Sequence, residues 1–175
     1  HIQHGADAVA DVFWAPLNRS VTRLQRRPDL FFAGQNHMDG EETVWVASMG
    51  HLMGLFDHDW LGIPANGKMV FLRYAEFHRV EGDQIQETAL FVDILHLMLQ
   101  VGLSPLPPQT GAHAIQPGPM PHDALLYEVS DPSEGRRTME AINSMVSQLK
   151  VWQVERPIEE ELAESWHDDM IWWGP

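Results

Sequence analysis

The sequence has no cysteine among its 175 residues. This absence excludes disulfide bonds, thiolate metal sites and a cysteine nucleophile, and it is typical of proteins in a reducing cytoplasm. Basic residues are also scarce, since 11 Lys and Arg stand against 25 Asp and Glu and give a net charge of -14. A polyanion is disfavoured as a partner because like charges repel. We therefore expect a cytoplasmic protein that does not bind nucleic acid.

Several longer patterns are missing as well. No apolar run approaches the roughly 20 residues that a membrane-spanning helix needs, and the first residues lack the charged-then-apolar pattern of a secretory signal. The sequence contains no Gly-x-Ser-x-Gly elbow, no Gly-rich phosphate loop and no dinucleotide fingerprint. We predict a soluble protein with no membrane partner, no serine nucleophile and no cofactor.

Apolar spacing predicts one helix followed by a sheet. From Ala6 to about Arg26 the apolar residues recur every three or four positions, and Pro16 is expected to kink this helix. The next segments are rich in β-branched and aromatic residues, and turns containing Gly, Asn or Asp separate them, which favours antiparallel pairing. The four predicted strands are Leu30–His37, Thr43–Met53, Met69–Glu81 and Gln84–Asp93.

The rest of the chain predicts further helices and a last strand. A short helix, Ile94–Val101, should end at Gly102, and six of the twelve prolines then fall between 103 and 122, as in a linker or an ordered surface wrap. A second helix should begin at Asp131 or Ser133, and a third follows Pro157. These elements together predict an α+β protein.

The apolar stretch Met170–Trp173 predicts a strand close to the end of the sequence. Its large side chains and its free edge would need a partner in a soluble protein. The alternative is a frayed tail without a partner.

Four stretches occur in this order along the sequence: "GHLMGLF", "WLGIPANGKMVFLRYAEFHRVEGDQI", "QETALFVDILHLMLQVGL" and "DPSEGRRTMEAINSMVSQL". They resemble the SnoaL-like polyketide cyclases, and the match as a whole covers roughly residues 6 to 150. This family lies within the nuclear-transport-factor-two-like superfamily, which also contains ketosteroid isomerase. The resemblance implies a curved, mostly antiparallel sheet that forms a cone closed by helices, a cystatin-like α+β barrel.

The resemblance also implies an unusual order of elements. The fold normally starts with a helix and a strand, and here those two look like "PIEEELAESWHDDMIWWGP" at the other end of the sequence. We therefore expect a permuted chain, or one cut from tandem copies of the fold. Residues 1–102 would form an incomplete cone and 103–130 a Pro-rich linker, and 131–175 would complete the cone of the same or a neighbouring chain.

Strand alternation suggests where a site lies. If the concave face of the sheet carries Glu76 and His78 from one strand and Glu87 and Asp93 from the next, titratable groups converge on an apolar floor. Burial would raise the pKa of a carboxyl group there towards neutral pH. The alternative is that such residues form a satisfied hydrogen-bond network or face solvent.

The resemblance assigns roles to these residues. Asp93 falls where the cyclases have their acid/base aspartate, and Glu76 falls where the isomerase has a neutral acid that donates a hydrogen bond to an enolate. His51, in a Gly-His pair, would polarise a carbonyl or shuttle a proton, as would His78. The expected ligand-binding residues are Tyr74, Glu87, Phe91, Trp45 and Trp172.

A metal site is not predicted. The clusters "DHD" at 57–59 and "HDD" at 167–169 lack the helical His-Glu-x-x-His spacing and a matched third ligand. These acids are better explained as helix caps or solvated turns.

The expected function is cofactor-free acid/base catalysis, an aldol cyclisation or an isomerisation, on a polyketide-like or other small apolar or aromatic carbonyl compound. The alternative is a non-catalytic ligand-binding or dimerisation module, in which Phe71, Phe77, Arg73 and Arg79 form a symmetric interface. We expect a homodimer, with or without an exchanged carboxyl-terminal segment. A third hypothesis is one half of a two-domain protein whose activity lies in the other half.

Overall fold

The computed structural model describes residues 2–37, 40, 42–107, 119, 121–151, 155–163 and 165–168. The chain divides into two compact units, His1–Tyr127 and Glu128–Pro175. In the part of the chain that is described, no helix is both long and apolar enough to cross a membrane. The α+β class predicted from the sequence is confirmed.

The first unit begins with a helical segment that is shorter than predicted. Helix α1, Ala6–Val9, continues through a π-helical turn, Ala10–Trp14, into α2, Ala15–Ser20. The predicted continuation to about Arg26 is wrong, because Val21 already pairs with the second strand. The Ser20 carbonyl accepts the amides of Asp57 at 3.0 Å and His58 at 3.2 Å, so contacts distant in sequence end the helix.

Four antiparallel strands follow, and each pairs with the next one along the chain, as the sequence predicts. The strands are β1 Val21–Gln35, β2 Val44–Phe56, β3 Met69–Glu81 and β4 Gln84–Val92. The first strand begins at Val21 rather than Leu30, since residues assigned to the helix extend it. Gly82, with a φ of 62°, lies in the two-residue turn between β3 and β4.

One face of the sheet, here called the core face, holds the hydrophobic core. Leu52 and Leu72 on this face form one buried cluster with Leu17 of α2 and Leu97 of the next helix. That helix, α3, spans Ile94–Gln100. Helices therefore cover one end of the core face, while the other end carries polar side chains. The side chains between them on β2 and β3 point to the reverse side, here called the opposite face.

Helix α3 ends close to its predicted stop. The Gly102 amide donates to the Leu99 carbonyl at 3.0 Å, and Gly102 has a φ of 85° that favours glycine.

The second unit contains two helices. Helix α4, Pro132–Leu149, is capped by Asp131, whose carboxylate accepts the Ser133 amide at 2.9 Å. Helix α5, Ile158–Leu162, follows Pro157 as predicted. The predicted strand Met170–Trp173 lies outside the described residues, as do 108–118 of the Pro-rich stretch. The exchanged carboxyl-terminal segment stays a prediction.

Candidate functional site

A row of buried polar side chains lies on the core face, beyond the end that the helices cover. Ser48 of β2 lies directly opposite Glu76 of β3, and Tyr74 and His78 flank Glu76 on the same face. Ser48, Tyr74 and Glu76 are only 3%, 2% and 4% exposed. Buried polar groups need hydrogen-bond partners, because an unpaired one costs about 1–3 kcal/mol. The partners of this row therefore define its chemistry.

Arg26 of β1 links the row together. Its Nε donates to the Tyr74 hydroxyl at 3.0 Å, its Nη2 donates to Oε2 of Glu76, and its guanidinium carbon lies 4.7 Å from the centre of the Tyr74 ring. Burial acts to lower the pKa of Arg26, but the hydrogen bond with Tyr74 and the charge of Glu76 outweigh it, so the pKa is raised. Arg26 thus neutralises a carboxylate that is otherwise buried.

His78 is held at both ring nitrogens. Its Nδ1 lies 2.8 Å from Oγ1 of Thr88 on β4, and its Nε2 lies 3.4 Å from Oε2 of Glu76. Oε2 of Glu76 also accepts from Arg26, which has only donors. The imidazole tautomer with its proton on Nε2 directs that proton towards Glu76. In this tautomer Nδ1 keeps a lone pair that can accept from the Thr88 hydroxyl.

A cavity of about 270 Å³ opens beside this row. It is lined by Arg26, Pro28, Phe31, Ser48, His78 and Tyr127. Its lining therefore combines polar and aromatic side chains, the combination typical of small-molecule sites.

The two aromatic rings of the lining come from separate segments. The Phe31 and Tyr127 rings lie 5.1 Å apart, centre to centre. The Phe31 amide donates to the Ala124 carbonyl at 2.9 Å, and the Leu126 amide donates to the Phe31 carbonyl at 2.7 Å. These bonds attach the segment before Tyr127 to the outer edge of β1. The pairing positions the Tyr127 ring at the cavity.

The prediction that Glu76, His78, Glu87 and Asp93 share one face is wrong. At the turn Val80 pairs with Ile85, but the next pair is Arg79 with Glu87, so β4 carries one extra residue at this point. Such a bulge exchanges the two faces of the strand beyond it. Glu87 consequently lies beside Arg79, with 3.5 Å between its Oε2 and the Arg79 Nε, and Thr88 takes the place opposite His78.

Asp93 also lies away from the cavity. Its carboxylate caps α3 by accepting the His96 amide at 2.9 Å, and it forms an ion pair with Arg73 at 2.7 Å. Arg73 is the cross-strand partner of His51, which belongs to the opposite face. Desolvation acts to raise the pKa of Asp93, but the His96 amide and the Arg73 guanidinium outweigh it and the pKa is lowered. The site geometry gives this carboxylate a structural role.

His51 lies on the opposite face too. Its Nδ1 is 3.2 Å from Oδ2 of Asp29, and its ring meets that of Phe71 edge to face at 6.3 Å. Its Nε2 is buried and has no hydrogen-bond partner among the residues that the structure describes. His51 does not line the described cavity. Burial is the main cause that lowers the pKa of the neighbouring His96, and the charge of Arg73 adds to this effect.

The predicted ligand-binding residues separate in the same way. Tyr74 belongs to the polar row, whereas Trp45 and Phe91 lie on the opposite face with Glu87. The indole Nε1 of Trp45 donates to Thr43 Oγ1 at 2.9 Å. Phe91 is 62% exposed. Trp172 lies outside the described residues.

Five of the six cavity residues were not predicted as site residues, and His78 is the exception. Arg26 was assigned to the end of a helix, and Tyr127 was placed in the linker. Pro28 and Phe31 were given no role in a site. Ser48 carries no motif, although it shares strand parity with Leu52, which lies on the core face. Only that parity, combined with the correct sheet register, would have identified Ser48.

Among the residues that the structure describes, no three His, Asp or Glu side chains lie close enough together to hold a metal ion. In the "DHD" cluster, Asp59 accepts the Ala65 amide at 2.8 Å, as expected for a turn residue. Comparison of the chain with protein-family models, curated proteins and solved structures gave no match. The proposed function therefore depends on the geometry of the cavity.

Proposed function

We propose that the cavity binds a small carbonyl compound and that His78 transfers a proton next to the carbonyl without a cofactor. The reaction class is an isomerisation or an aldol cyclisation, as the SnoaL-like resemblance implies. The observation that carries this proposal is that His78 lines the cavity and also contacts a buried, arginine-paired carboxylate. Histidine is the side chain best suited to exchange protons near neutral pH.

The proposed proton transfer uses the Nδ1 lone pair of His78. The ligand would displace the Thr88 hydroxyl, and Nδ1 would take a proton from the carbon next to the carbonyl. The electron pair of the broken C–H bond then forms the C=C bond of an enolate, and the negative charge moves to the oxygen. Glu76 stabilises the imidazolium through Nε2, and the same proton returns to carbon in an isomerisation.

The cavity supports a small ligand with a flat ring. Its volume of about 270 Å³ lies just below the range of about 300–1,000 Å³ typical of ligand pockets. The Phe31 and Tyr127 rings offer a stacking surface beside the polar row. A one- or two-ring ketone would place its ring there and its carbonyl against the polar row.

The finer architecture is part of the same proposal. A SnoaL-like cone needs helices on the concave side of a curved sheet, and α2 and α3 do pack on the core face that carries the cavity. The four-stranded antiparallel sheet supports the α+β class, and its closure into a cone belongs to the proposal.

Hydrogen–deuterium exchange tests the proposed function. We expect the protein to accelerate the replacement of the acidic C–H protons of 2-tetralone by deuterium in deuterated buffer. Proton NMR of the ketone measures the rate. Acetophenone serves as a second, smaller ketone. The Asp93→Asn variant should keep this activity, because asparagine still caps a helix and Asp93 does not line the cavity. Absence of exchange on both ketones, or its loss in folded Asp93→Asn, would contradict the proposal.

The opposite face favours a second candidate function, assembly into a homodimer. Phe32, Phe77 and Phe91 are exposed large apolar side chains on this face, and the Phe77 and Phe91 rings lie 6.3 Å apart. Exposed apolar patches of this kind are typical of interaction sites. Arg79 and Glu87 add charges of both signs to the same face.

Sedimentation measurements test the dimer. We expect a concentration-dependent dimer for the wild type and a monomer for the double variant Phe77→Ser, Phe91→Ser. Leu61→Ser is the matched control, because Leu61 is an exposed apolar residue outside the strands. Identical sedimentation of all three proteins would exclude this face as the dimer interface.

A further inference from the structure

The hydrogen bonds of the buried polar row have a direction. Arg26 can only donate, so the Tyr74 oxygen accepts its Nε proton at 3.0 Å. The Tyr74 hydroxyl is buried, and the acceptor that the structure shows within reach of its proton is Ser48 Oγ, at 3.1 Å. A satisfied network therefore runs from Arg26 to Tyr74 to Ser48. The Ser48 proton is left without an acceptor inside this network.

We propose that Ser48 donates its hydroxyl proton to the oxygen of the ligand, so that Ser48 is the residue that stabilises the enolate oxygen. This inference rests on the proposed function, because it names a second catalytic residue of the same cavity. Ser48 lines the cavity together with His78. A carbonyl compound bound between them has its acidic C–H at the imidazole and its oxygen at the serine hydroxyl.

The network makes Ser48 a better donor than an isolated serine. Each hydrogen bond polarises the next one, and this network begins at a guanidinium cation that also lies 4.7 Å above the Tyr74 ring. Ser48 and Tyr74 are buried, so little water competes with the donor. A fixed donor aimed at the position where charge develops stabilises the enolate more than the ketone. Tyr74 and Arg26 act as positioning residues.

Binding of an enolate mimic tests this role. The probe is 4-nitrophenolate, whose charged oxygen resembles an enolate oxygen, and nitrobenzene, which lacks that oxygen, is the control ligand. We expect Ser48→Ala to weaken 4-nitrophenolate binding by about 10- to 100-fold, the effect of one hydrogen bond to a charged group. Nitrobenzene binding should stay nearly unchanged. Ser147→Ala, on α4, is the matched control variant.

Two further measurements distinguish a catalytic role from a structural one. Tyr74→Phe keeps the ring and the Ser48 hydroxyl but removes the link to Arg26, so it should weaken 4-nitrophenolate binding by less than Ser48→Ala does. In the 2-tetralone assay, Ser48→Ala should lower kcat while KM changes little, because the lost bond is strongest in the transition state. Thermal unfolding checks that each variant is folded.

The outcomes separate this inference from the proposed function. Serine-dependent 4-nitrophenolate binding without ketone exchange supports the Ser48 donor and overturns the proposed reaction. Exchange that depends on His78, with 4-nitrophenolate binding unaffected by Ser48→Ala, overturns the Ser48 donor and supports the proposed reaction. A wild-type protein that neither binds 4-nitrophenolate nor exchanges the ketones overturns both.

Discussion

His78→Gln should lower the rate of ketone exchange by about 100- to 10,000-fold, the range that a positioned general acid or base contributes. Glutamine keeps a planar polar group of similar reach, but its amide cannot take a proton near neutral pH. The variant also leaves the Arg26–Glu76 ion pair in place, so the buried carboxylate keeps its main partner. The measurement is the initial rate of deuterium incorporation into 2-tetralone, corrected for buffer-catalysed exchange.

His58→Gln is the matched control for this experiment. His58 is exposed in the turn after β2 and does not line the cavity. Its replacement should leave the exchange rate unchanged. Equal rates in wild type and His78→Gln would show that another group carries the proton, and the assignment of His78 as the base would then be wrong.

The sequence predicted those parts of the fold that depend on local patterns. The strands β2, β3 and β4 follow from apolar and β-branched runs between Gly-containing turns. The cap of α4 at Asp131 follows from the preference of aspartate for the position before a helix. Glu76 and His78 were expected on one face because residues two apart in a strand share a side, and their 3.4 Å contact agrees.

The remaining errors come from contacts between distant residues. Val21 and Leu24 fit a helical repeat as well as a strand, and only the pairing of β1 with β2 decides between them. The bulge in β4 is a second example. A single extra residue moves Glu87 to the opposite face, and no local sequence pattern indicates the bulge.

The cavity was harder to predict than the fold because its residues come from four separate segments, the first three strands and the segment that contains Tyr127. Arg26 lies in β1 and contacts Glu76 of β3, and the pairing of β1 with β2 between them has two irregular positions that the sequence does not indicate. Tyr127 reaches the cavity through a strand-like contact at the edge of β1. This part of the site could not be predicted because its residues lie far apart in the sequence.

Gly50→Ala should cost about 3 kcal/mol of unfolding free energy or more, at or above the top of the usual range for overpacking. An added methyl group would lie 2.0 Å from the Arg27 carbonyl oxygen and 2.8 Å from the Pro28 Cα. Both are backbone atoms, so neither can rotate away, and β1 would have to move off β2. The neighbouring residues Arg26 and Pro28 line the cavity, so the same shift should also reduce 4-nitrophenolate binding.

Urea unfolding measures the effect of Gly50→Ala on stability, with the midpoint and the slope compared separately. Gly34→Ala is the matched control, because Gly34 lies in β1 and an added methyl group there meets nothing within 4 Å. We expect this control to change stability by no more than about 0.5 kcal/mol. If the two variants were equally stable, the close approach of β1 to β2 at Gly50 would be wrong, and with it the placement of Arg26 over the polar row.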